Sequence, residues 1–518
     1  VTDLEREDVM DTMPGSADAG DAGSPAAAPI TGAPVRRNDP PGAGTLRDAS
    51  RPGRRGWSFP ALDVPEASLP GQAMRSEPAP LPEIAERDLV THFTRLSQRN
   101  YGVDTGFYPL GSCSMKYNPK SAETAAGIPG FQRLHPLQPA STVQGALELV
   151  WRLERALCEL TGMARVTFQP PAGAAGELTG LLLMRAFHTK NGDPRRKVII
   201  PDSAHGTNPA SVTQAGYEVL QVPSDARGLV DVGALEKLVT EDVAGLMLTN
   251  PNTLGLFEEE IDEIDDVIHA VGGLVYYDGA NLNAIMGRVR PGDMGFDIVH
   301  MNTHKTFATP HGGGGPGAGP VAVGERLVPF LPVPVVERDD ATGEFSLVDD
   351  RPDSIGRIHG FHGNFGVLVR AYLYVFLHGG DGLQAVSERA VLNANYLASL
   401  VKQAYPLAFP GGRPMHEFVS TAKPLRRHGV RAMDVAKRMI DLGFHPSTVY
   451  FPLVVEEAMM VEPTETESKE TLEGFAEALL QVAREAESDP DLLHDAPVTA
   501  PVGRLDEARA ARQLKLRW

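Results

Sequence analysis

A single lysine, Lys305, stands in the stretch His300 to Pro320, HMNTHKTFATPHGGGGPGAGP, between an apolar run and a glycine-rich one. A lysine desolvated at the end of a buried strand loses proton affinity and becomes a usable amine, able to form Schiff bases with carbonyl carbons. Three other segments carry groups suited to the same chemistry. Gly173, Ala174, Ala175 and Gly176 come just before a helical pattern, where backbone N–H groups and the helix dipole can hold a phosphate. His205 lies in PDSAHGTNPAS after an apolar run, where an imidazole can lie flat on an aromatic ring or move a proton. Asp278 closes the run GLVYYD, and a carboxylate there needs a cation or hydrogen-bond donors; a protonated pyridine nitrogen is such a partner. Taken singly, each has a plain structural explanation: a solvated lysine, a turn before a helix, a capping or core histidine, an N-cap aspartate. Together, in this order, they supply the contacts that pyridoxal 5'-phosphate requires. The lysine holds the aldehyde, and the aspartate keeps the ring protonated so that it withdraws electrons from a bond at Cα.

Positioning such a set needs strands that end at one edge. Short apolar runs at 197–201 (KVIIP), 217–222 (YEVLQV), 245–250 (GLMLTN), 273–278 (GLVYYD) and 297–302 (DIVHMN) read as strands buried on both faces. Helical patterns such as DVGALEKLVT and IDEIDDVIHAVGG fall between them, as in a mostly parallel, doubly wound α/β sheet. Upstream, GALELVWRLERALCEL spaces Leu149, Val150, Leu153, Leu157 and Leu160 along one helix face, with Gly162 as its stop. Ligands of such sheets bind beyond the carboxyl ends of the strands, where the polar residues lie.

The chain has 518 residues, more than one hydrophobic core usually serves, and predicts at least two lobes. Its 48 Lys and Arg against 67 Asp and Glu give a net charge of −19, which argues against nucleic acid as a partner. Two cysteines, Cys113 and Cys158, are too few for a disulfide framework and fit a reducing compartment. No apolar run approaches the roughly 20 residues that span a bilayer. Residues 1–80 are rich in Gly, Pro, Ala and Asp and predict a disordered extension. The acidic opening VTDLEREDVMD is unlike a transit peptide, and a cytoplasmic location is the simplest expectation.

Longer motifs narrow the reading. The order of Lys305, Asp278, His205 and the 173–176 segment resembles fold-type I pyridoxal-phosphate enzymes, the aspartate-aminotransferase architecture. The segment LSQRNYGVDTGFYPLGSCSMKYNPK (96–120) resembles, more closely, the signature of glycine dehydrogenase (decarboxylating), the P-protein of the glycine cleavage system, and its second subunit where the enzyme is split. Agreement continues through FQPPAGAAGE, DSAHGTNPASV, LTNPNTLGLFE, YYDGANLNA, NTHKTFATPHGGGGPG, GNFGVLVRAY and FHPSTVYFPL, from about 81 to 486. Ser114 departs from the family's threonine but keeps a hydroxyl.

The resemblance implies the following. Lys305 carries the cofactor, Asp278 pairs with its ring nitrogen, His205 stacks on the ring and also serves catalysis, and Gly173, Ala174 and Ala175 bind phosphate. Glycine is decarboxylated and its aminomethyl group passes to the lipoyl arm of the H-protein. A first subunit completes a heterotetramer of two of each, with no nucleic acid, membrane or metal involved. The implied division is a disordered extension (1–80), an N-terminal arm and signature loop (81–140), a large cofactor-binding domain (141–375), a small C-terminal α/β domain (376–486) and a tail (487–518). The run His311 to Gly319 then either lines the lipoyl channel or forms a surface turn. Cys113 and Lys116 lie near the substrate, or Cys113 is a small buried hydrophobe; Cys158 belongs to the core. Another fold-type I activity, an aminotransferase or aldolase, would share Lys305, Asp278 and the phosphate loop, and a purely structural partner subunit is the non-enzymatic alternative.

Overall fold

The computed structural model describes residues 44–77, 79–312, 317–514 and 516. Its largest sheet has seven strands: β1 (Arg165–Thr167), β2 (Lys197–Pro201), β3 (Glu218–Val222), β4 (Val243–Leu248), β5 (Leu274–Gly279), β6 (Ile298–Met301) and β7 (Val321–Val323), in the order β1-β7-β6-β5-β4-β2-β3. The five strands expected from apolar runs, β2 to β6, are parallel. The two missed ones are three residues long, and β7 runs antiparallel to both its neighbours. Every position of β4 and β5 is buried. Val275 and Tyr277 enter one core cluster and Leu274 and Tyr276 another, so alternate side chains fill opposite faces under covering helices.

A smaller lobe is built on an antiparallel sheet. Strands β8 (Val335–Arg338) and β9 (Phe345–Val348) form a separate hairpin, and then β10 (Phe418–Thr421), β11 (Thr448–Val449) and β12 (Ala458–Val461) pair with β12 in the centre. The helix Phe365–Val401 joins the lobes and is broken at Gly379, whose φ of 59° and ψ of −174° no helix contains. Before the break Leu368, Ala371 and Tyr374 pack in the large core; beyond it Ala394, Leu397 and Val401 pack in the small one. Cys158 is buried, as expected, with Sγ 3.4 Å from the Ala164 carbonyl.

The ends differ from expectation. Residues 490–499 are no loose tail: Leu493 and Ala496 are fully buried, and Asp441 receives the N–H groups of Val498 and Thr499 at 2.8 Å each. Buried apolar side chains among the turn-forming residues hold that segment to the small lobe. Of the expected extension, residues 1–43 and 78 lie outside the described residues. Residues 44–77 carry a few turns and one short 3-10 helix, Gly71–Ala73, and leave Trp57 and Phe59 exposed. Among the described residues no helix is long and apolar enough to cross a membrane.

One polar cluster beneath the sheet predicts a pH response. His269 sits between Asp265 (3.1 Å) and Asp297 (2.8 Å), and those two hydrogen bonds outweigh burial and raise it from 6.5 to about 9. A raised histidine contributes stability that is complete below its unfolded pKa and is lost as pH rises through the folded one. Thermal midpoints should therefore decline between pH 6.5 and about 9, and His269→Gln should flatten that decline. An unchanged slope in the variant would assign the pH response elsewhere.

Candidate active site

The carboxyl ends of β2, β4, β5 and β6 converge on a cavity of about 210 Å³. Lys305, Asp278, His205, Gly173 and Ala174 all line it, so residues as far apart as 173 and 305 meet there. Ala175 belongs to the same helical turn but is not part of the wall. The 173–176 segment does not precede its helix; it is the first turn of Gly173–Lys190, and its N-cap, Ala172, offers no side-chain acceptor. First-turn N–H groups lack partners within a helix, and here they start at the cavity.

Asp278 stands near the end of β5, 5% exposed. Its Oδ2 accepts from Asn208 Nδ2 at 2.9 Å, its Oδ1 from the Ala280 N–H at 3.1 Å, and His300 Nε2 is 3.2 Å away. Burial alone would raise this carboxyl; His300, the two hydrogen bonds and Lys305 outweigh it and hold the group below its ordinary value. Asp278 is therefore a buried anion and more than an N-cap. Tyr276 places its hydroxyl 3.2 Å from His300 Nδ1 and fixes that imidazole from behind.

His205 follows β2 and keeps Nδ1 2.9 Å from Thr207 Oγ1, which in turn donates to Glu177 at 2.7 Å. Burial, then Lys305, lower its proton affinity, so the ring is neutral near pH 7. His304 is driven down to about 3 by burial, His311 and Lys305, and lies 5.0 Å from the His311 ring.

Lys305 is carried by the short helical turn Thr303–Thr306 that follows β6. That turn is held by the signature loop, which is the part the sequence located without explaining. Lys116 is buried to 1% exposure, with Nζ 2.9 Å from the Thr306 carbonyl and 2.9 Å from Glu465. Ser114 is fully buried and donates through Oγ to Glu462 at 2.5 Å. Cys113 is half-buried and no core residue; burial raises its thiol against the pull of Lys305. Of the glycine run, 313–316 lie outside the described residues. Gly319 passes so close to the Ala172 carbonyl that a Cβ has no room.

Two family models match the chain: the glycine cleavage system P-protein over residues 64–350 and the C-terminal domain of glycine dehydrogenase over 386–495. Proteins named probable glycine dehydrogenase (decarboxylating) subunit 2 are 56% identical in Caldanaerobacter subterraneus subsp. tengcongensis and 57% in Listeria innocua. Each alignment covers 91% of this chain, and 98% and 97% of the respective relative. The chain belongs to the P-protein family of the glycine cleavage system. A crystal structure of a P-protein glycine decarboxylase in inhibitor-bound form superposes with a TM-score of 0.67 at 23% identity, covering 80% of this chain and 93% of that one. A cysteine desulfurase from Thermococcus onnurineus gives 0.56 at 14%, covering 73% and 95%. The P-protein chain thus has the fold-type I architecture expected of it. The sequence reading assigned no role to Asn208 and His300, which hold Asp278 from behind the cavity wall, or to Glu417, which lines the cavity from the small lobe. Asn208 lies in the quoted motif DSAHGTNPASV and was within reach; Glu417 sits in no recognised motif.

Proposed function

We propose that this chain decarboxylates glycine with pyridoxal 5'-phosphate and passes the aminomethyl group to the oxidised lipoyl arm of the H-protein. The observation that carries the reading is the buried, ionised Asp278 facing the same cavity as Lys305 and the uncapped helix start at Gly173. The residues fit the cofactor. Asn302 Oδ1, His304 Nδ1 and Thr249 Oγ1 are buried at this cavity without a protein partner, and a Cβ on Gly173 would stand 2.5 Å from Asn302 Oδ1. Such orphaned polar atoms, beside a backbone that no side chain covers, suit a polar ligand.

When bound, the cofactor supplies an electron sink for the pair released at the substrate's Cα. Lys305 is the amine that would hold its aldehyde carbon. Asp278, held below its ordinary pKa with His300 and Asn208 beside it, would pair with the ring nitrogen; His205 would stack on the ring; the N–H groups of Gly173, Ala174 and Ala175 would hold the phosphate. His416 and Glu417 line the cavity from the small lobe. The names of the relatives support a companion first subunit, and a heterotetramer of two of each is the expected assembly.

The test is glycine-dependent exchange of labelled CO₂ with H-protein and the first subunit present. Asp278→Asn should retain cofactor but exchange about 10²–10³-fold more slowly, the scale of losing one preorganised electrostatic contact. Transamination without exchange would sink the reading, and an unchanged rate would return Asp278 to a capping role.

A further inference from the structure

Where the small lobe meets the cavity, His416 and Glu417 line the wall and Glu462 is buried behind them, an acid cluster to which the reading above gives no proton-transfer role. Donor atoms of His416, Glu417 and Glu462 lie within 4.8 Å of one another. Glu462 is fully buried and receives three donors: Ser114 N–H at 2.9 Å, Ser114 Oγ at 2.5 Å and Asn281 Nδ2 at 2.9 Å. Glu417, 4% exposed, receives one, the Ser112 N–H at 2.8 Å. Its Oε1 stands 3.9 Å from His416 Nε2, while His416 Nδ1 is buried without a partner. Two carboxyl groups this close repel each other as anions, which favours a proton on one of them, and Glu417 has the fewer donors to stabilise an anion. Burial, then Glu462, push Glu417 up to about 8, against the Ser112 N–H and Lys305. Cys113 also faces it, and burial keeps that thiol neutral. A metal would need Glu462 oxygens that three donors already occupy.

The backbone holds this carboxyl in place. The Met415 N–H bonds the Gly255 carbonyl at 2.8 Å, and Gly255, at φ 78°, lies so near the Glu417 carbonyl that a Cβ has no room. Ser112, whose N–H meets Glu417, itself takes a φ of 64°, a conformation that side chains resist and that this contact helps to hold.

We propose that Glu417 is the general acid of the transfer step, giving its proton to the sulfur that leaves when the acceptor disulfide opens. The inference rests on the glycine reading. Departure of CO₂ leaves an electron pair on the substrate carbon. That pair forms a carbon–sulfur bond at one sulfur, the S–S bond breaks, and the second sulfur carries away the negative charge that the substrate carboxylate brought in. A proton from Glu417 makes that sulfur a neutral thiol, and the carboxylate left behind takes a proton from solvent before the next turnover. Asp278 lines the same cavity but is held ionised and serves no such purpose.

The test uses the complete assembly with oxidised lipoylated H-protein, in the parent protein, Glu417→Gln, Glu417→Asp and Cys113→Ala. Thiol formation in the pre-steady state should fall about 10²-fold in Glu417→Gln, the usual scale for losing a general acid, and less in Glu417→Asp. The parent and Cys113→Ala should slow as pH rises through about 8, and Glu417→Gln should lose that limb. Infrared titration of the cofactor-free chain gives an independent readout: a protonated-carboxyl band should disappear across the same pH range and be missing in Glu417→Gln. A Glu417→Gln protein with the parent's rate and pH limb, or a parent chain whose infrared spectrum shows Glu417 ionised at neutral pH, overturns the proposal. Absence of thiol formation in the parent itself would overturn the glycine reading, while the infrared band still reports the protonated carboxyl separately.

Discussion

Replacing Lys305 with alanine should remove the lysine-linked absorption band of the cofactor and lower glycine–CO₂ exchange by roughly a thousandfold or more, as expected when a covalent group is lost. No other amine can take over. Lys116, the nearest buried lysine in the signature loop, is already committed to Glu465 and to the Thr306 carbonyl. Lys305 is only partly buried and lies outside the apolar core clusters, so circular dichroism and the thermal midpoint of the variant should stay close to the parent's. Absorbance titration with pyridoxal phosphate and the exchange assay read the two effects separately. Full exchange activity in a folded Lys305→Ala protein would end the assignment.

The second large effect belongs to Lys116 and is one of stability. Lys116→Met takes the cation out of a pair whose side chains are 0% and 8% exposed, leaving Glu465 buried beside Tyr374 and Asn283. Breaking a buried pair from one side costs about 3–5 kcal/mol, because the remaining charge is neither paired nor hydrated. The thermal midpoint should fall sharply. Cofactor affinity should fall with it, since the Thr306 carbonyl that Lys116 holds closes the turn bearing Lys305. Lys116→Met combined with Glu465→Gln should recover part of the loss, because the orphaned charge is then gone. If the single variant melts like the parent, the ion pair contributes nothing and the signature loop is held by its other contacts, among them those of Ser112, Ser114 and Asn118.

Much of the site was legible because parallel sheets leave a regular record. Strands buried on both faces are continuous apolar runs, and the polar residues that interrupt them must lie at strand ends. That is why β2, β5 and β6 led directly to His205, Asp278 and Lys305. Strands β1 and β7 left no such record, since three residues next to turn-forming segments look like loop. The end after 488 was misread for a related reason: a short apolar pair, Leu492 and Leu493, among Asp and Pro looks solvated until the surface that receives it is known.

The residue types and their order determined the chemistry: one lysine, one aspartate, one histidine and a small-residue helix start, each on its own strand end. Only the tertiary structure decided the protonation states and the second wall of the cavity. Asp278 is an anion because His300, 22 positions along the chain but paired with it across β5 and β6, stands against its carboxylate. Glu417 is pushed toward its protonated form because folding buries it and brings Glu462 beside it, while three donors go to that neighbour. A titratable group's charge is set by the dielectric and the partners around it, and those arise from contacts between distant segments that no local pattern encodes.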